Sequence, residues 1–173
     1  ARAMAEMMVG TTFAAPERAG RAKVGVVLEV SDLSVAAQGQ FGTALHAISF
    51  AVQAGEVLGI GGVAGNGQDE LLAALSGEMP VTAEAVRLKG MAIGQHGPGT
   101  RRAMGLLTAP EERLGHAAAP DMSLTENAIL TGAARESLLN RGFLRWEAAE
   151  AFARRIITGF DVRTPGPGTA ARA

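Results

Sequence analysis

At 173 residues, with 47% hydrophobic and 19% charged, the chain has the composition of a folded domain with a buried core, which excludes an intrinsically disordered segment. A net charge of −1 excludes the broad basic face that nucleic acid or an anionic membrane surface would need, so any anion site must be local. The absence of cysteine excludes disulfides, thiolate nucleophiles and cysteine-based zinc sites.

ARAMAEMMVG, residues 1–10, places Met4, Met7 and Met8 at helical spacing before Gly10 and reads as the end of a preceding domain, or as a frayed tail. Residues 11–23 mix Pro, Gly and charge without periodicity and read as a linker. The folded unit is expected over 24–173. VVLEVSDLSV reads as a strand entering a turn, and AISFAV alternates Ile48, Phe50 and Val52 on one face of a half-buried strand. QAGE makes a tight turn. EVLGI is a short apolar run suited to a buried central strand, and it delivers the chain into a glycine-rich loop. DELLAALSG then reads as a helix with Leu71, Leu72 and Leu75 on one face and Gly77 as its stop.

Further on, EAVRLKG reads as an edge strand and MGLLTAP as a second buried one, with a loop and a short basic turn, GPGTRRAM, between them. The run GHAAAP offers few anchoring side chains, so residues 107–123 are expected to be mobile. Ser123 and Glu126 have the spacing of a capping box, which starts a helix from about Leu124 to Ala134. The last helix, WEAAEAFARRIITG, puts Trp146, Ala149, Phe152 or Ala153, and Ile156 on one stripe.

Strand, glycine-rich loop and helix is the order of a phosphate cradle. Consecutive amide N–H groups at a helix N-terminus must point at phosphate oxygens, and glycine removes the side chains that would block them. Gly62, Gly65 and Gly67 in GVAGNGQDEL meet that demand in the frame GxxxxGK[ST]. The charged half of the motif is replaced. Gln68 offers a neutral donor where Lys would be a cation, a difference on the order of 1 to 2 kcal/mol at a charged acceptor. Asp69 puts a carboxylate where a magnesium-binding hydroxyl belongs, which suits the helix dipole and repels a triphosphate unless a metal lies between. A second frame, GIGGVA as GxGxxA, is excluded because it would bury Gly65 and Gly67 in the first helical turns at roughly 1 kcal/mol each. A glycine-rich turn without a ligand has the same spacing, so the loop alone decides nothing.

The surroundings decide more. VLEVSDLSV followed by ALHAISFAVQAGEVLGIGGVAGNGQDELLAALSG resembles the opening of an ABC transporter ATP-binding domain, in which a "GE" turn leads into the Walker A strand. GLLTAPEERLGHAAAPDMSLTENAIL resembles that family's Q-loop segment. GNGQ, PEER and MSLTENAIL together are similar to the second of two fused ATP-binding domains in importers for simple sugars and nucleosides, and ARAMAEMMVG to the end of the first.

The resemblance implies an α/β fold of the P-loop NTPase type, here an incomplete ABC domain. It implies that Gly62, Gly65, Asn66 and Gly67 wrap the phosphates of ATP with Mg, and that Gln68 and Asp69 fill the Lys and Ser/Thr positions. Glu111 stands at the Q-loop Gln position, and Phe41 at a position for an aromatic stacked on adenine, although a loop Phe without that role fits equally. The implied partners are permease membrane subunits and the other ATP-binding domain, on the cytoplasmic face of the membrane. The family's signature, Walker B aspartate, catalytic glutamate and switch histidine have no counterpart in this sequence. No catalytic residue is therefore assigned, and hydrolysis by the chain alone is not expected.

Two further expectations come from the residues themselves. His46, His96 and His116 lack metal-ligand spacing and read as ordinary surface or loop positions, so no protein-held metal is expected. No apolar run nears the roughly 20 residues of a membrane span, and the amino end lacks signal-peptide order, which suggests a cytosolic chain. A start at Ala1 and a Gly/Pro-rich close, TPGPGTAARA, suggest a piece of something longer. The alternative reading is an interaction module that keeps the fold without holding nucleotide.

Overall fold

A computed structural model describes residues 25–39, 42–133 and 135–173. The expected preceding domain, the linker and Phe41 lie outside the described residues. What is described is a mixed α/β arrangement around an antiparallel sheet of order β2-β1-β3-β4. The strands are β1 (Val26–Val35), β2 (Leu45–Gln53), β3 (Val86–Leu88) and β4 (Met91–Ala92).

β1 and β2 form because apolar residues alternate along both, and their inward set closes one core. Val30, Leu33 and Leu45 are buried, with Ile48 and Phe50 half-buried beside them. The ladder shifts register between Val30 and Leu33, where Asp32 takes φ 48° and its N–H turns to the hydroxyl of Ser49 at 2.9 Å. That shift keeps both Val30 and Leu33 on the core side. The QAGE turn is as expected, with Glu56 N–H donating to Gln53 O at 3.0 Å and Gly55 at φ 76°.

Helix α1 (Gln68–Ser76) lays Leu71 and Ala74 on this core. It ends at Gly77, whose positive φ lets its N–H reach Ala73 O at 3.1 Å. Helix α2 (Pro98–Ala103) follows the sheet, α3 (Leu124–Gly132) carries the anticipated capping box, and α4 (Trp146–Gly159) packs Ala149 and Ala153 inward. Between α3 and α4 a small hairpin pairs β5 (Leu139–Asn140) with β6 (Phe143–Leu144). The carboxyl-terminal stretch lies across the start of α3: Leu124 N–H donates to Thr169 O and Thr125 N–H to Pro167 O, each at 2.9 Å. Two of the donors a helix leaves without intrahelical partners are satisfied in this way.

Five expectations are corrected. EVLGI is neither a strand nor buried: residues 57–62 make no backbone hydrogen bond to any described backbone group, and Val57 is 93% exposed. Its composition suits a central strand, but a strand exists only against a neighbour, and none reaches it among the described residues. MGLLTAP is likewise irregular, with Leu106 packed on the core and Leu107 exposed. EAVRLKG forms β3, but between β1 and β4 rather than at an edge, since Lys89 and Gly90 at positive φ turn the chain back into β4. The basic turn GPGTRRAM is helical, and its Arg101 is fully buried. Trp146, assigned to the packed stripe of α4, is half-exposed. Among the described residues no helix is long and apolar enough to cross a membrane.

Candidate functional site

The loop from Gly62 to Gly67 joins the exposed apolar stretch to α1. Gly65 and Gly67 take φ 86° and 99°, the left-handed region that disfavours residues with a Cβ. Gly67 is also the N-cap of α1, and a Cβ there would lie 2.7 Å from Leu45 Cδ2, so close packing on β2 fixes it a second time. Beyond it, the backbone N–H groups of Gly67, Gln68 and Asp69 have no hydrogen-bond partner among the described residues. Three consecutive free donors at the positive end of a helix dipole are a ready seat for an anion.

The loop is held from one side by the segment before β2. Thr43 donates its hydroxyl to Gly65 O at 2.8 Å, and its backbone N–H to Glu70 Oε1 at 2.8 Å. Those bonds matter electrostatically. The N–H of Thr43, and then the backbone N–H of Glu70 itself, hold the Glu70 carboxyl below the usual carboxylate range. Thr43 and Glu70 were not marked by the motif, because neither sits at a motif position. An acidic residue in the first helical turn was the one available signal.

The loop is closed from within by Gln68. Its Oε1 accepts the backbone N–H of Asn66 at 3.1 Å, and its Nε2 donates to Val63 O at 3.0 Å. The amide rests directly against Gly62, where an added Cβ would come within 2.3 Å of Nε2. Gly62, Gly65, Asn66, Gly67 and Gln68 thus form one small structure, as their spacing suggests.

Asp69, next in sequence, lines a cleft of about 450 Å³. Leu72, Ala73 and Glu78 line the cleft beside it, and Pro110, Glu111, Glu112 and His116 face them from the later segment. The structure therefore brings Asp69 and Glu111, 42 residues apart in sequence, to the walls of one cleft. His116 is an exposed loop residue as expected, but it has a partner: its Nε2 lies 3.1 Å from both carboxylate oxygens of Glu78, tying the segment to the end of α1. Asn127 adds to the restraint by accepting from Ala119 N–H at 2.8 Å while donating to Ala119 O, Met122 O and Ser123 O. Residues 107–123 are thus more tied down than their Gly/Ala/Pro content suggests.

The donor set fits phosphate oxygens through backbone amides and supplies no cation to them. Asp69 is an oxygen ligand of the type magnesium accepts. Among the described residues no three His, Asp or Glu side chains come together as a metal-holding group.

No protein-family model matches the chain. Individual proteins do. It is 30% identical to the nucleoside import ATP-binding protein NupA of Lactococcus lactis over 94% of its length, which is 32% of that protein. It is 35% identical to the guanosine import ATP-binding protein NupO of Bacillus subtilis over 73% of its length, or 25% of that protein. It is 37% identical to the arabinose import ATP-binding protein AraG of Pseudomonas savastanoi over 78% of its length, or 26% of that protein. The chain spans about a quarter to a third of these curated relatives. Across most of its own length it is a homologue of the ATP-binding proteins of ABC importers for sugars and nucleosides.

Proposed function

We propose that the chain is part of the ATP-binding subunit of an importer for sugars or nucleosides, with residues 62–69 as the seat of nucleotide phosphates. The observation that carries this is the row of free N–H groups at Gly67, Gln68 and Asp69, set at the start of α1 by two left-handed glycines. In this reading Gly62, Gly65, Asn66 and Gly67 shape the cradle, and Asp69 faces the magnesium that accompanies ATP. Glu111 stands where the cleft meets the segment 107–123, which couples the site to the permease. Phe41 is the candidate for stacking on adenine. The bound magnesium would offset the phosphate charge that Asp69 otherwise repels. The role assigned is binding and support, with turnover left to the other ATP-binding domain of the transporter.

A second reading, an interaction module without nucleotide, is favoured by one observation. The cleft beside the loop is lined by the four carboxylates of Asp69, Glu78, Glu111 and Glu112, a poor setting for a polyphosphate. Amide NMR of the chain titrated with Mg-ATP separates the two. Shift changes centred on residues 62–70 support the phosphate seat; a spectrum unmoved at millimolar nucleotide supports the module. For the coupling role, crosslinkers placed at Glu112 and Arg113 in a reconstituted transporter should capture the permease, and capture confined to other surfaces would count against it.

A further inference from the structure

The glycine loop is closed by its own side chain. Gln68 spans the loop from Val63 O to the N–H of Asn66, lying in the space that Gly62 leaves by having no Cβ. An amide oxygen on a loop N–H occupies a position that a phosphate oxygen would take in a filled cradle. Taking the phosphate reading of this loop as given, we propose that Gln68 is a built-in competitor for the phosphate seat. It is a guard that a nucleotide must displace, not a donor that holds it.

The chemistry of the two partners makes the competition direct. Asn66 N–H is shared between Gln68 Oε1 at 3.1 Å and Val63 O at 3.3 Å, so a phosphate oxygen must take the place of Gln68 Oε1, the nearer acceptor, on it. The bond from Nε2 to Val63 O anchors the amide in that position, so swinging Gln68 outward breaks two hydrogen bonds together. Both are exposed and each is worth little alone. Their joint loss lowers the affinity of every phosphate ligand that displaces Gln68 by the same modest factor.

Gln68→Met separates guard from donor, because methionine keeps the length of the side chain and makes neither bond. If Gln68 donates to bound phosphate, this variant binds Mg-ATP more weakly than the parent. If Gln68 guards the seat, it binds more tightly, by about three- to tenfold for the release of one or two net hydrogen bonds. Titration calorimetry is run on the parent, on Gln68→Met and on Gln68→Lys with Asp69→Ser, each checked for fold by circular dichroism. Tightening in Gln68→Met supports the guard. Unchanged or weaker binding there, alongside tightening in the double variant, overturns the guard and leaves the phosphate reading standing. Absence of binding in all three overturns both. In the parent, the Gln68 side-chain NH₂ signals should move toward free-amide positions in step with the Asn66 N–H as Mg-ATP is added. A motionless side-chain signal during saturable binding would also overturn the guard.

Discussion

The guanidinium of Arg101 donates to the carbonyl oxygen of Ala74 at 2.6 Å, joining the short helix α2 to the last turn of α1 across the buried core. The same side chain also donates to Leu75 O and His96 O at 2.8 Å, to Ile93 O at 2.8 Å and to Gly94 O at 3.0 Å. A guanidinium has five N–H donors, and here the partners are all backbone carbonyls. Two of them are orphan carbonyls at the C-terminus of α1, where the helix dipole favours a cation. Burial lowers the Arg101 pKa from its ordinary value, but the group stays charged throughout the working range. Gly77 makes room for it, since a Cβ there would lie 2.8 Å from Arg101 Nε.

Arg101→Met should therefore destabilise the chain by about 3 kcal/mol, because the carbonyls of Ala74, Leu75 and His96 lose their one donor among the described residues. Thermal unfolding would show it as a fall of roughly 10 °C. A fall of only a degree or two would mean that water replaces the guanidinium without cost.

Much of this was legible in the residues, and the failures share one cause. The β1–β2 pair, the GE turn, α1 with its Gly77 stop, and the Ser123–Glu126 box are local patterns, written in periods and caps within about ten residues. EVLGI failed because a strand's existence depends on a neighbour far away in sequence, which its own residues cannot report. β3 was placed at an edge for the same reason. Arg101 was read as one charge of a basic turn because burial of an arginine depends on carbonyls from α1 and β4's exit, which spacing does not reveal. At the site, the glycines and Gln68 were visible as a motif, while the anchoring by Thr43 and Glu70 came from folding alone.

The exposed stretch before the loop gives a second expectation. Val57, Ile60 and Val63 are 93%, 55% and 74% exposed within seven residues, an apolar surface that should bind hydrophobic dyes. Val57→Lys with Ile60→Lys should abolish the dye signal and shift unfolding stability by no more than about 0.5 kcal/mol. A loss of stability of several kcal/mol would show that these side chains are buried in solution.

The capping box at the start of α3 predicts a pH dependence. Glu126 accepts from both the hydroxyl and the N–H of Ser123 at 2.7 Å, and these bonds, the hydroxyl first, hold its carboxyl below the ordinary range. A depressed folded-state pKa gives stability that is complete above the unfolded value, about 4.3, and is lost as pH falls through the lower folded value. Glu126→Gln should be less stable than the parent at pH 7, and by a smaller margin at pH 3. Urea midpoints at the two pH values check this, and a gap that is equal at both would remove the ionised carboxylate from the explanation.

The phosphate seat itself is tested most directly by restoring the missing charges. Gln68→Lys with Asp69→Ser adds a cation and removes an anion beside three free amides, while leaving Gly62, Gly65 and Gly67 untouched. One regained charge-assisted contact is worth about 1.5 to 3 kcal/mol, or one to two orders of magnitude in affinity. Calorimetric titration with Mg-ATP should show the double variant binding that much more tightly than the parent. A folded double variant that binds no better would contradict the phosphate seat and leave a bare glycine-rich turn.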